Sequence, residues 1–424
     1  MQIQNEKEAL EYLNSGKENP PLSRDEMLLL AGMRDDKLPY LTAHVAGTNG
    51  KGSACAFLHS ILTHAGYKTG LFTSPHLIRF HERIRVGRKD ISSSGLVRCV
   101  RTVLAREQKY GLKPPPFARF TALALEWFRI RKVDAAVFEV GLGGLLDPTN
   151  IIIPDVAVIT AIGIDHIEKL GNTIEKIAMQ KCGIIKHGAT MISHPQKPEA
   201  RRIINETCSK QNATLIDSTY SKVIPITSGL SGQSFSLETP QGAFRKLHTR
   251  LAGAHQLDNA RTAVLAALAL REKGADIPFA AIEKGIEKTQ WPCRMQAVCR
   301  NPLIILDGAH NGDAAEALEA AVREMLAGVQ ITLVAGIIKG KDAGAIARHV
   351  GFAGFAIAVK PDADRGMEEE EFARYLELYV PRVCTADSPE EALKLALRRA
   401  KNTNGAIVVA GSLYLCGTML QLFR

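Results

Sequence analysis

Short apolar runs alternate with longer amphipathic stretches along most of this chain. LTAHVAG (41–47), TGLFT (69–73), DAAVFEV (134–140) and DVAVITAI (155–162) are mostly apolar and bounded by polar or glycine residues, which predicts buried strands. Between them, SGLVRCVRTVLAREQ (94–108) and FTALALEWFRI (120–130) carry apolar residues at helical spacing. Strand, turn and helix in repetition predict parallel βαβ units and an open α/β sheet. Residues 228–251 break this rhythm. They alternate around a Pro-Gln-Gly turn, which predicts a β-hairpin insertion, and an alanine-rich helix over 255–274 follows. The rhythm restarts after TQWPCRMQ (289–296), where LIILDGAH (303–310), ITLVAGI (331–337), GFAIAV (354–359) and GAIVVAGSL (405–413) predict four more strands. We therefore expect two domains, 1–292 with the small β insertion and 297–424.

Composition narrows the class. A chain of 424 residues exceeds one ordinary core, in agreement with two domains. No run reaches the ~18 apolar residues of a membrane span. The opening MQIQNEKEALEYL lacks the apolar centre of a secretion signal, so a cytoplasmic protein without membrane partners is expected. The eight cysteines include no CxxC pair, which argues against a zinc ribbon or a disulfide framework and for buried free thiols. The net charge of +9 is dispersed, with short basic pieces such as LRRAK (397–401). Small anionic substrates fit this better than nucleic acid.

Ligands of open α/β sheets bind beyond the carboxyl ends of the strands, so those ends are the places to seek chemistry. HVAGTNGKGSACAF (44–57) reads as a strand, a glycine-rich turn and a helix. Gly47, Thr48, Asn49, Gly50, Lys51, Gly52 and Ser53 suit a phosphate, because glycines bare the backbone amides, the helix start is partially positive, and Lys51 adds a full charge. The loop is shorter than GxxxxGK[ST], and an ordinary tight turn is the other reading. The next strand ends deliver Ser74, Glu139, and Asp165 with His166. A carboxylate and an imidazole there can share a divalent cation, although an isolated histidine is more often a packed one. Lys181, near a predicted helix end, reads more readily as a solvated charge on chemistry alone. In the second domain Asp307, His310 and Asn311 follow a strand and Arg294 lies at the boundary, which suits a site closed by that domain. A capping role for Asp307 is the rival reading.

These motifs, in order, resemble the folylpolyglutamate synthase and dihydrofolate synthase family of the Mur ligase superfamily. The resemblance rests on HVAGTNGKGS, LFTSPHL with HERI, VFEVGLGG with LDPTN, GIDHIEKLG, QKCGIIK, LAGAHQLDNA, WPCR, LDGAHN, KGKD and GSLYL, and runs over nearly the whole chain. It implies an N-terminal P-loop ATPase domain with a mostly parallel sheet and a C-terminal Rossmann-like α/β domain, with ATP between them. It implies phosphorylation of a substrate carboxylate by ATP, then attack by the amino group of L-glutamate on the acyl phosphate. Lys51, Lys181 and His310 match catalytic positions, with Lys181 carbamylated in many members. Ser74, Glu139 and His166 match ligands of Mg²⁺. Gln256, Asn259, Arg294 and Asp307 match nucleotide-side positions, joining the Gly47–Ser53 loop. Asp147, Arg83, Lys341 and Ser412 match the substrate side, Asp147 matching a position that contacts the pterin. The chain is expected to act as a monomer.

The chain departs from many bacterial members at Arg119 (Glu there), Leu145 (Arg) and Gln180 (Glu), where it is similar to eukaryotic folylpolyglutamate synthases. Ala118 and Pro148 also differ from the bifunctional enzymes, as do Gly312 and Gly340 from the usual Pro and Asp. Polyglutamylation of folates is the leading expectation. The alternatives are dihydrofolate synthesis from dihydropteroate, ligation of another acid, and a nucleotide-binding regulator without turnover.

Overall fold

A computed structural model of the protein describes residues 3–35 and 37–423; the outermost ends of the expected domains, 1–2 and 424, lie outside the described residues. Strands β1 (Leu41–Ala46), β2 (Thr69–Phe72), β3 (Ile84–Val86), β4 (Lys89–Asp90), β5 (Ala135–Glu139), β6 (Val156–Ile159), β7 (Thr190–Ser193) and β8 (Thr214–Asp217) form one sheet in the order β4-β3-β2-β5-β1-β6-β7-β8. It is parallel from β2 to β8, and β3 and β4 add an antiparallel edge. The chain leaves β1 toward β2 on one side and returns to β6 on the other. That reversal opens a crevice at the end of β1. Next come β9 (Lys222–Thr227), β10 (Gln233–Thr239) and β11 (Gly242–Thr249), a small antiparallel sheet. The second large sheet contains β12 (Gln296–Arg300), β13 (Leu303–Leu306), β14 (Ile331–Ala335), β15 (Phe355–Val359), β16 (Val383–Ala386) and β17 (Ala406–Ala410), in the order β12-β13-β17-β14-β15-β16. Only β12 runs antiparallel in it. This is the expected α/β architecture.

The elements that sequence patterning missed are mostly marginal strands. β9 stands where only a hairpin was expected; it is an edge strand, nearly all exposed, and contains Pro225. A proline is tolerated at an edge, and without a buried face the apolar signal vanishes. β8 and β16, at the ends of their sheets, are likewise only partly buried.

Alternate residues of β5 feed opposite faces. Val137 joins Val45, Phe57, Leu58, Val264 and Leu268 beneath the helices Lys51–His64 and Ala254–Glu272. Phe138 joins Phe72, Leu96, Val100 and Phe128 beneath Ser93–Tyr110 and Pro116–Arg131. Residues 263–270 of the helix Ala254–Glu272 are apolar all round because they are buried all round. Among the described residues no helix is long and apolar enough to cross a membrane. All eight cysteines are free, six of them buried.

Besides the 289–295 connection the halves meet at several places, among them the Lys17–Asp364 ion pair (3.5 Å) and Leu230 and Ala252, which pack into the core of the second half. Leu77 and Ile78 pack into the core of the second half, on the helix Leu413–Leu422. Gly417 permits that approach, since a Cβ there would lie 2.1 Å from the Leu77 carbonyl oxygen. The Glu82 carboxylate shapes the loop, accepting the amides of Leu77 (2.8 Å), Ile78 (3.2 Å) and Arg79 (3.0 Å). A further contact lies at the candidate site.

Arg119 is internal. Its guanidinium pairs with Glu107 (2.9 and 3.3 Å), donates to the Ser15 carbonyl at 2.6 Å, and stacks on the Tyr12 ring, whose hydroxyl also reaches Glu107. Glu107→Ala leaves this cation buried without its counter-charge. We expect a loss of about 3–5 kcal/mol in chemical denaturation. Burial also holds the imidazoles of His44, His59 and His194 down to about 3, 4 and 3. An unfolded histidine titrates near 6.5, so the unfolded chain takes up these protons first. The stability from the neutral rings is complete above about pH 6.5 and is lost as pH falls toward 4. Urea midpoints should decline over that acid window.

Candidate active site

The loop after β1 is shaped by clearance. Gly47 has φ 152° and Gly50 φ 86°. A Cβ would lie 1.8 Å from Thr160 Oγ1 at Gly47, and 2.3 Å from Asn259 Oδ1 at Gly50. The Thr48 and Asn49 amides donate to the Ala161 carbonyl (2.8 and 3.1 Å), which ties the loop to the end of β6. The helix Lys51–His64 has no side-chain cap, so its first amides face the turn. Lys51 Nζ donates to the carbonyls of Gly47 (3.1 Å) and Thr48 (3.2 Å). The buried Ser53 hydroxyl has no protein partner among the described residues.

Lys181 comes to the same point from another element. It lies in the last turn of Ile174–Cys182, buried, and donates to the Gly47 carbonyl at 2.7 Å. This overturns the solvated reading. Burial first, and then the Lys51 charge, push the amine down to about 7. Glu139, the last residue of β5, accepts the Ser74 amide at 3.0 Å. Burial raises its carboxyl, against the pull of Lys51 and the Ser74 bond. His166 (φ 51°) follows β6; burial holds its ring down to about 4, outweighing Asp165, with help from Lys341 and Lys51. Among the described residues no three His, Cys, Asp or Glu side chains meet as a metal cage. The hard oxygens of Glu139, Ser74 and Ser53 with a neutral imidazole do fit Mg²⁺, which binds few protein groups and completes its shell with water and phosphate.

The second half contributes across the cleft. Asp165 accepts Lys341 Nζ at 2.7 Å and Asn311 Nδ2 at 3.2 Å, and its carboxylate lies 3.9 Å from His310 Nε2. Burial would raise this carboxyl; the Lys341 ammonium, His166 and His310 override it and hold it well below the usual range. Asn49 and Asn311 exchange amide bonds at 3.0 and 3.2 Å, linking the phosphate-type loop to the other half. His310 Nδ1 donates to the Gly308 carbonyl at 2.8 Å, which leaves Nε2 toward the cleft, and burial holds the ring down to about 4. Asp307 accepts the Met295 and Ala309 amides, both at 2.8 Å, in the geometry of the capping aspartate. The backbone of Ser412, the cap of Leu413–Leu422, and Arg294 stand beside it on the cleft wall. Asn259 donates to Gln256 at 3.1 Å beneath Gly50.

On the opposite side the loop 142–150 faces an apolar wall. Asp147 accepts the amides of Leu142 (2.9 Å) and Thr149 (3.0 Å), so both its oxygens anchor the loop. Leu145 and Leu146 are 51% and 76% exposed, against Leu22, Met27, Phe117 and Phe120. Arg83 bonds His76 Nδ1 at 2.7 Å and lies 5.1 Å from the Phe120 ring centre. One cavity of about 1220 Å³ is lined by the candidate residues singled out from the sequence, from Gly47 to Ser412, with Asn311 just behind its wall on Asp165 and Asn49. Sequence reasoning missed the hub role of Asp165 and the Asn49–Asn311 pair. Asp165 was visible as a strand-end residue, but its partners are far away in sequence.

The comparisons with known proteins agree with this geometry. The Mur ligase middle domain matches residues 120–267, and the Mur ligase, glutamate ligase domain matches 293–413. The chain is 36% identical to the dihydrofolate synthase/folylpolyglutamate synthase of Bacillus subtilis, over 88% of this chain and 87% of the relative. It is 34% identical to the folylpolyglutamate synthase of Lacticaseibacillus casei, over 89% of each. Escherichia coli FolC in complex with DHPP and ADP superposes with a TM-score of 0.89 at 28% identity, covering 100% of this chain and 98% of that one. Mycobacterium tuberculosis folylpolyglutamate synthase complexed with ADP and AMPPCP gives 0.91 at 27%, covering 99% of each. Loop, cleft and sequence likeness lead to one assignment: the chain belongs to the folylpolyglutamate synthase and dihydrofolate synthase family of ATP-dependent Mur ligases.

Proposed function

We propose that the protein joins the amino group of L-glutamate to a carboxylate of a reduced folate, using ATP. The folate carboxylate oxygen bonds to the γ-phosphorus as ADP leaves. The glutamate nitrogen then bonds to the acyl carbon, the acyl C–O bond to phosphate breaks, and an amide remains. The observation that carries this reading is the single cavity that joins the glycine loop, two lysine amines and an apolar wall. Bringing two anions together demands positive charge, and Lys51 supplies it in a water-poor cleft. Gly47, Thr48, Asn49, Gly50, Gly52 and Ser53 hold phosphate; Gln256, Asn259, Arg294 and Asp307 complete the nucleotide side. The apolar wall with Asp147 and Arg83 takes the folate, while Lys341, Ser412 and His310 face the incoming glutamate.

Ser74, Glu139 and His166, with Ser53, are the residues that would hold Mg²⁺. Bound there, the ion would supply further neutralisation of phosphate charge. Lys181 suits carbamylation, because an amine held near 7 is partly neutral at physiological pH and therefore nucleophilic toward CO₂. All groups come from one chain, which supports a monomer as the working unit. A cytoplasmic setting, where ATP is supplied, belongs to the same reading.

Dihydropteroate is the second reading, favoured by the 36% likeness to a relative bearing both activities in its name. Leu145, Ala118, Pro148 and Gln180, which line the cavity, are the departures that bear on this choice; Arg119 is not one, since it lies in the interior. The test incubates the protein with Mg-ATP, L-glutamate and either tetrahydrofolate or dihydropteroate, and reads product mass. A folate one glutamate heavier, with stoichiometric ADP, is expected. Nucleotide binding with no ligation of any acid would sink the proposal. Lys181→Ala should lower kcat by about a hundredfold or more, as removal of a charge-stabilising group does. Short carboxylates such as formate should restore part of the rate. Full activity in the unrescued variant would remove Lys181 from the site.

A further inference from the structure

Beneath the apolar wall two buried side chains that the reaction above does not use, His44 and Thr149, lead to Asp147. Thr149 Oγ1 donates to Asp147 Oδ1 at 2.5 Å, and His44 Nε2 lies 2.8 Å from the same hydroxyl. The hydroxyl proton is spent on the carboxylate, so His44 must donate its Nε2 proton to Oγ1. His44 Nδ1 is then a bare acceptor, and it is buried with no partner among the described residues. That is a costly arrangement for a histidine whose only task is to fill space. Burial, with Lys186 nearby, keeps the ring neutral, so the tautomer persists.

The series ends on a loop that faces the acid pocket. Asp147 gathers the Leu142 and Thr149 amides and so closes the loop on itself. The loop is fastened beyond that by Leu145 N to the Gln180 carbonyl (2.7 Å) and by Asn150 to Leu145 (3.0 Å). Neither His44 nor Thr149 lines the cavity, whereas Leu142, Leu145, Leu146 and Asn150 do. His44 lies in β1, the strand that runs into the glycine loop.

We propose that His44 and Thr149 are positioning residues for the acid substrate. The hydrogen-bonded series His44–Thr149–Asp147 holds the 142–150 wall in register with β1, and so sets folate affinity without touching the nucleotide. The inference rests on the folate reading of that pocket. Thr149→Val keeps shape and removes the hydroxyl; Thr149→Ser restores it. His44→Leu removes the donor, and His44→Gln keeps a nitrogen donor near the Nε2 position.

Steady-state kinetics of the full chain, with tetrahydrofolate or ATP varied, provide the first readout. Thr149→Val and His44→Leu should raise KM for the folate about tenfold, the scale of a lost hydrogen bond to a charged group. KM for ATP should stay within about twofold, and Thr149→Ser and His44→Gln should return the folate KM most of the way. Equal rises for both substrates, no rise, or failure of Thr149→Ser to rescue would overturn the proposal. Hydrogen exchange provides a readout that does not depend on the reaction. Residues 142–150 should exchange faster in Thr149→Val, with 47–53 unchanged, and an unaltered 142–150 segment would overturn the proposal. A wild-type protein that ligates nothing would defeat the folate reading instead, and the exchange result would still decide whether the relay holds the loop.

Discussion

Two amines on one carbonyl oxygen are the constraint around which the rest is arranged. Lys51 and Lys181 both donate to Gly47, from different helices, at the open end of the central strand. Two unit charges about 4 Å apart repel by about 4 kcal/mol at the effective dielectric of a protein site. The fold meets this in two ways. Lys181 is buried until its proton is loosely held, and acidic groups are kept close, with Glu139 beside Lys51 and Asp165 farther out. An electropositive spot of this kind is expensive in isolation and useful when anions must meet. The surrounding structure keeps the two lysines from turning into water.

Glycine makes that spot accessible. Gly47 and Gly50 have no room for a Cβ, because Thr160 and Asn259 press on them. The loop 142–150 shows the same economy on the acid side: Gly144 and Gly183 sit against the backbone of the facing segment, where a Cβ would approach to 2.8 Å and 2.4 Å. Close backbone contact on both sides gives a cleft whose walls are set by main chain, with a few polar side chains aimed into it.

Much of this was legible in the amino-acid order. Strand ends, the glycine turn and the two-sheet rhythm are local signals, and the motif series carried the chemistry. What was not legible depends on distant partners. Lys181 looks solvated until the end of β1 is brought against it. Arg119 looks like an altered wall residue, yet Glu107 and Tyr12 take it into the interior. Asp307 looks like a ligand because it follows a strand, and Asp147 because its motif matches a substrate-side position; the structure also ties the oxygens of both to backbone amides. A carboxylate's availability cannot be read without knowing which amides surround it. Exposed edge strands such as β9 fail for the opposite reason, since they bury too little to leave a pattern.

The connection between the halves has a mechanical corollary. Asp307 grips the Met295 amide, and the Gly308 amide donates to the Cys293 carbonyl at 2.9 Å. Residues 293–295 are therefore stitched to the second sheet and are not a slack tether. Any swing of one half over the other must bend upstream of Cys293. Arg294 would then ride with the moving half, so its arrival over a bound nucleotide would itself signal that the jaws have shut.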